Sequence, residues 1–243
     1  MAAGRSRAPE PRLRVPRAAP GASAFAPAPI AIQQRCRQGS LLFFGKNLSY
    51  GALMVLPVVK YGEPVLRKKG ARVERVDDEV RSFLADLMET MYAARGVGLA
   101  AQQVGVARQM CVVDVRGVKD RPSELWVGGQ PADVDSFMPL ALINPEIKAI
   151  GPRILGPEGC LSFPEIFGDI ERPAEVEVTA TNERGEPFSF RAGGLLARAV
   201  QHEVDHLNGI LFIDRMDSKT RGEVKPDVEE LQAVTKARLQ AKK

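Results

Sequence analysis

The stretch Gln201-His202-Glu203-Val204-Asp205-His206-Leu207-Asn208-Gly209 constrains this chain more than any other, because it holds both histidines among 243 residues. They stand at i and i+4, with a glutamate at i+1. On a helix this spacing stacks the two imidazoles on one face. They can then ligate a single metal ion while Glu203 stands beside it as a general base. The flanks predict that helix: Leu195, Leu196, Ala199, Val200, Val204 and Leu207 recur at helical spacing, and Asn208-Gly209 is a stop signal. A His-Glu-x-x-His pattern can arise by chance. Chance does not explain why histidine occurs nowhere else in the chain.

A catalytic site of this kind needs a third protein ligand and one open position for water. A metallopeptidase with three histidines would carry the third at position 212, where this chain has Phe212. The third ligand is therefore a cysteine or a carboxylate. Of the three cysteines, Cys36 lies in an N-terminal stretch of distinct composition. Cys111 heads the apolar run Cys111-Val112-Val113-Asp114-Val115 and reads as a small buried side chain on a strand. Cys160 sits within residues 157–164, where glycine and two prolines predict a shaped loop, and is the best candidate.

In chain order, Gly96-Val97-Gly98-Leu99-Ala100-Ala101-Gln102-Gln103, Glu158-Gly159-Cys160-Leu161-Ser162 and Gln201-His202-Glu203-Val204-Asp205-His206 resemble the three signature motifs of the peptide deformylases. The resemblance covers about residues 54 to 220 and is to the iron-dependent bacterial and organellar type. It implies a hydrolase that removes the N-formyl group from the initiator methionine of nascent polypeptides and releases formate. Cys160, His202 and His206 would hold one divalent metal. Metal-activated hydroxide would attack the formyl carbon, with Glu203 moving the proton. The Gln103 side chain and the Leu161 backbone N–H would stabilise the oxyanion. Gly96 and Gly98 fill a helix cap and turn. Their missing side chains also let a peptide substrate pair its main chain alongside. Glu158 and Ser162 read as residues that shape the Cys160 loop. One thiolate and two imidazoles accept zinc, ferrous iron, cobalt or nickel; family likeness points to Fe2+. Two rivals are an endopeptidase built on His-Glu-x-x-His and a non-enzymatic domain with a closed metal site. The second needs a fourth ligand, and none sits at suitable spacing.

Residues 1–50 hold eight basic residues against one acidic residue, Glu10, a net of +7. The rest carries 26 basic and 29 acidic residues, a net of −3, so the overall +4 belongs to the tail and says little about nucleic-acid binding by the body. Residues 1–53 read as a disordered or non-native extension, either a transit peptide or a start placed ahead of Met54. Residues 54–243 read as a single catalytic domain. The odd cysteine count points to a reducing compartment, the bacterial cytoplasm, or an organelle stroma or matrix if the tail is a transit peptide. No apolar run is long enough for a membrane span.

Along the body, Asp77 or Asp78 caps a helix whose stripe is Val80, Phe83, Leu84, Leu87, Met88 and Met91, ended by Gly96. Met110–Val115 is a strand, and 117–137 a long polar connection turning at Gly128-Gly129. There Trp126 is a surface anchor or a packing residue. Leu140–Asn144 and Glu146–Ile150 are short strands broken at Asn144-Pro145. Glu175–Asn182 turns inward Val176, Val178 and Ala180, reverses at 183–185 and returns through Phe188 and Phe190. A last helix over Pro226–Lys243 has Asp227 and Glu230 as its capping pair and a partial stripe of Val228, Leu231 and Val234. Its cationic end suggests an ordinary surface helix or, through the family likeness, a ribosome contact. The class is α+β, antiparallel sheets packed around a central metal-binding helix, with an additional N-terminal helix and a C-terminal helix.

Overall fold

The computed structural model describes residues 53–241. The expectations for residues 1–52, Cys36 among them, and for Lys242 and Lys243 lie outside the described residues. Helix α1 spans Asp78–Ala93, and the Asp77 carboxylate caps it by accepting from the Val80 N–H at 3.0 Å. Val80, Leu84, Leu87 and Met91 are buried, with Phe83 and Met88 packed at their margin. The stop differs from expectation. Arg95, not Gly96, takes the left-handed backbone at φ 57, and the Gly96 N–H reaches back to the Met91 carbonyl at 2.9 Å.

Strand β1 (Gly98–Ala100) leads through a 3-10 turn at Ala101–Val104 to β2 (Met110–Val113). Then follow β3 (Ser123–Val127), β4 (Gln130–Pro131) and a single helical turn, α2 (Val134–Phe137). Gly128 and Gly129 both take positive φ between β3 and β4, which makes the expected hairpin turn. Trp126 packs within the sheet: the Arg191 guanidinium lies over its ring, 4.8 Å from the centroid.

The main departure lies in β5 (Leu140–Cys160) and β6 (Phe163–Thr181), which form one long hairpin. The break expected at Asn144-Pro145 is only a register shift between Ile143 and Glu146. Asn144 takes a positive φ there, and its side-chain amide bonds the Val73 N–H at 2.9 Å and the Val73 carbonyl at 2.8 Å. The shaped loop expected around Cys160 is the hairpin's tip: Cys160 pairs with Phe163 across the turn Leu161-Ser162. The return strand β7 (Pro187–Gly193) pairs with β6 as expected, with Val176, Val178 and Ala180 turned to the core.

Among the described residues the named strands pair antiparallel in one sheet, ordered β1-β2-β5-β6-β7-β3-β4, where separate sheets had been expected. Helix α3 (Gly194–Leu207) packs on this sheet and buries Leu195, Leu196, Ala199, Val200, Val204 and Leu207 in its largest apolar cluster. Burying each of the leucines and valines contributes about 1.5–3 kcal/mol, so this face fixes how the helix's polar residues are aimed. After a 3-10 turn at Phe212–Asp214 comes α4 (Ser218–Gln240). It starts eight residues earlier than its expected start at Pro226. The Asp217 carboxylate caps it, accepting from the Thr220 N–H at 2.7 Å, and Pro226 lies inside the helix. The Asp227–Glu230 pair is therefore mid-helix and caps nothing. Val228 and Leu231 are partly buried, whereas Val234 is exposed. No helix among the described residues is long and apolar enough to cross a membrane.

Candidate metal centre

The buried face of α3 carries His202, Glu203 and His206 to the tip of the β5–β6 hairpin, where Cys160 stands. The Cys160 thiol and one nitrogen from each imidazole all lie within 4.8 Å of one another. Cys160 Sγ is 3.2 Å from His206 Nε2. Ligand bonds of about 2.0–2.3 Å put the donors of one tetrahedral ion roughly 3.5 Å apart, so these three residues fit a single metal. His202 Nδ1 is 3.0 Å from Glu158 Oε2, which engages that nitrogen and leaves Nε2 as the donor. Phe212, at the position of a third histidine in a metallopeptidase, is buried; its ring lies 6.2 Å from that of His202 and 5.0 Å from that of Phe163. It packs the site and offers no ligand.

Glu203 is buried, and its Oε2 has no hydrogen-bond partner among the described residues. Burial pushes its carboxyl up to about 7, against the opposing fields of His202 and Arg172. A carboxylate of that basicity exchanges protons readily at neutral pH. Gln103 is also buried. Its Oε1 accepts from the Ala100 N–H at 2.8 Å, which fixes the amide's orientation, and its Nε2 points at Cys160 Sγ from 3.4 Å.

The two glycines have a reason that spacing alone did not reveal. A Cβ on Gly98 would overlap the Glu203 carboxylate, whose Cδ would be 2.8 Å away. A Cβ on Gly96 would stand 2.8 Å from Leu161 Cδ1. Each glycine thus makes room for another site residue of this same chain.

Behind the donors lies a buried ion network that the motifs did not announce. Arg172 grips Glu158 with two bonds of 2.6 and 2.9 Å and reaches Asp205 at 2.7 Å. Arg198 donates to Glu158 at 2.8 Å, and Arg215 to Asp205 at 2.6 Å. Burial works to raise the Glu158 pKa. The bonds from His202 and Arg172 outweigh it and hold the carboxyl far below the usual range. Glu158 is thus an anion placed against His202, a more specific setting than that of a residue shaping a loop. Ser162 is buried, its hydroxyl has no hydrogen-bond partner among the described residues, and nothing in the structure explains it. Alternation marks Arg172 only in a strand that runs from Phe163, and the sequence announces one only from Glu175. In the longer strand Arg172 lies in step with the inward-facing Ile166, Ile170, Val176 and Val178 of β6, and a cation on that face requires a buried anion.

The family model for polypeptide deformylase matches residues 55–222. The chain belongs to the peptide deformylase family. It is 45% identical over 187 residues to the peptide deformylase of Opitutus terrae, covering 76% of this chain and 96% of that one. To the enzyme of Methylacidiphilum infernorum it is 44% identical over 178 residues, covering 73% and 93%. The crystal structure of a peptide deformylase from Synechococcus elongatus, in complex with actinonin, superposes with a TM-score of 0.60 at 39% identity, covering 74% and 88%. Peptide deformylases are metalloenzymes that remove the formyl group from N-formylmethionyl peptides, and the Cys-His-His group described above is a metal site of the kind they need. The endopeptidase alternative finds no support.

Proposed function

We propose that Cys160, His202 and His206 hold the divalent ion of this deformylase and that Glu203 is its proton carrier. The observation that carries this reading is the buried, unpartnered Glu203 Oε2 next to three converging donors. The bound ion would supply Lewis acidity, lowering the pKa of water and polarising the formyl oxygen. Glu203 accepts a proton from the attacking water and delivers it to the amide nitrogen as the C–N bond breaks. The products are formate and a free methionyl amine. The Gln103 Nε2–H and the Leu161 backbone N–H donate to the oxyanion of the tetrahedral intermediate, and each such donor is worth about 10²–10³ in rate. Gly98 keeps the space in which Glu203 works. Gly96 and Val97, at the more exposed approach to β1, offer main chain for an extended substrate, whereas β1 itself is buried.

We further assign the ion as Fe2+, on family likeness, since the ligand set alone accepts zinc, nickel and cobalt equally. Residues 54–243 are the catalytic domain, acting on nascent N-formylmethionyl chains in the bacterial cytoplasm. Ribosome contact through α4 would fall to cations such as Lys236; Arg238 is engaged by Glu63 at 3.0 Å.

The test is formate release from a formyl-Met tripeptide by the full chain, purified without oxygen and loaded with ferrous iron. A Glu203→Ala control should retain the metal and lose turnover by about 10²–10⁴-fold. Equal turnover in the control would refute the role given to Glu203, and no turnover by the iron-loaded wild type would refute the reaction.

A further inference from the structure

The two proposed oxyanion donors belong to elements far apart in the chain: Gln103 to the 3-10 turn after β1, Leu161 to the tip of the β5–β6 hairpin. Three consecutive residues before the first helix join them. The Val59 N–H donates to the Gln103 carbonyl at 2.8 Å, and the Tyr61 N–H donates to the Ser162 carbonyl at 2.9 Å. Between them, Lys60 Nζ donates to the Leu161 carbonyl at 2.8 Å. The segment is anchored on both sides. Upstream, the Leu56 N–H bonds Thr90 Oγ1 of α1 at 2.8 Å; downstream, Gly62 lies against α4, where a Cβ would be 2.9 Å from Thr235 Cβ. The Tyr61 ring stacks on Phe163 at 4.7 Å, just past the hairpin tip.

We infer that Lys60 is a positioning residue for deformylation: its ammonium fixes the Leu161 carbonyl, sets the tip's N–H against the Gln103 amide, and places a positive charge on the thiolate side of the site. This rests on the reading that Gln103 and Leu161 receive the oxyanion. A backbone carbonyl that accepts from an ammonium is held more tightly than one that accepts from water, because the bond is charge-assisted. The residue is only half-buried, so the bond is made at the rim, where solvent would otherwise compete for the tip. Burial lowers the Lys60 pKa, and the neighbouring Cys160 works in the opposite direction. A tip that drifts by a fraction of an ångström separates the two donors just when negative charge appears between them, whereas substrate binding is little changed.

The experiment compares the full-length wild type with Lys60→Met and Lys60→Arg. Formate release is measured with ferrous iron, and the near-ultraviolet thiolate-to-metal absorption with cobalt in its place. Lys60→Met is expected to lower kcat by about 10- to 100-fold with KM within about threefold, and Lys60→Arg to recover most of the loss. Removing a cation near the sulfur raises the energy of its lone pairs. The cobalt band should therefore move to longer wavelength in Lys60→Met and stay in place in Lys60→Arg. If Lys60→Met does not fold, Lys60→Gln carries the same comparison. A kcat within twofold of wild type, or a loss that arginine does not rescue and that leaves the band unmoved, overturns the inference. Gln103→Ala separates the two levels. Full activity in that variant removes the oxyanion reading and this inference with it; impaired Gln103→Ala beside unimpaired Lys60→Met removes the inference alone.

Discussion

The proton-carrier role proposed for Glu203 depends on Gly98 having no side chain. The carboxylate occupies the space a Cβ would fill, and its Cδ would be 2.8 Å from that atom. Gly98→Ala should therefore push the carboxylate aside without touching a metal ligand. We expect metal content to be retained and kcat to fall by at least about tenfold, out of the 10²–10⁴ that general base catalysis contributes; kinetics beside metal analysis would show it, and an unimpaired variant would mean that Glu203 has room to spare. Glu158 makes the complementary case. It accepts from His202, Arg172 and Arg198 together, so Glu158→Gln should leave His202 poorly oriented and weaken metal binding about 10- to 100-fold in a chelator competition. Unchanged affinity would argue that packing alone orients His202. The Cys-His-His group was legible because a metal site demands particular residue types at particular spacings. The support behind them was not. Arg172, Asp205 and Arg198 are ordinary charged residues in sequence, and only the hairpin brings the first into reach of α3.

Elements were legible where one periodicity ran unbroken. The stripe of α1 and the alternation of residues 176–180 gave their buried faces correctly. Sequence reasoning failed at prolines. Asn144-Pro145 reads as the end of a strand, yet the Asn144 side chain replaces the lost ladder bonds with bonds to Val73 and β5 continues. Pro226 reads as a helix start, yet it lies inside α4. A proline there lacks the N–H that would bond the carbonyl of Gly222, and its ring crowds that carbonyl, at a cost of about 3 kcal/mol in a helix interior. The cap at Asp217 and the partly buried Val224, Val228 and Leu231 hold the helix together on either side. Pro226→Ala should therefore slow amide exchange in residues 218–225 by about tenfold or more, since 1.4 kcal/mol is already a factor of ten. Faster exchange would show that the proline sets a bend on which the packing depends.

At the scale of the molecule, the apolar seam between α1 and the sheet is flanked by a polar cluster whose charge state should contribute to acid stability. The Tyr92 hydroxyl, at the end of α1, donates to Asp114 Oδ2 at 2.6 Å, just past the end of β2; Arg116 Nε donates to both carboxylate oxygens, at 3.0 and 3.1 Å. Burial tends to raise the Asp114 pKa, but the bonds from Arg116 and Tyr92 prevail and hold the carboxyl below its usual range. The folded state therefore binds this proton less readily than the unfolded chain, whose aspartates titrate near about 3.9. The stabilisation is fully present above that pH and is lost as pH falls through the lower, folded value. Asp114→Asn cannot titrate. The stability difference between wild type and this variant, measured by urea unfolding, should be constant from about pH 5 to 7 and shrink progressively below about pH 4. The subtraction matters because Glu158 is also held below its usual range and gives the wild type a second acid-sensitive contribution, which the variant shares. A difference that stays constant to pH 2 would mean that the cluster holds α1 to the sheet by packing and neutral hydrogen bonds, with the carboxylate's charge contributing nothing.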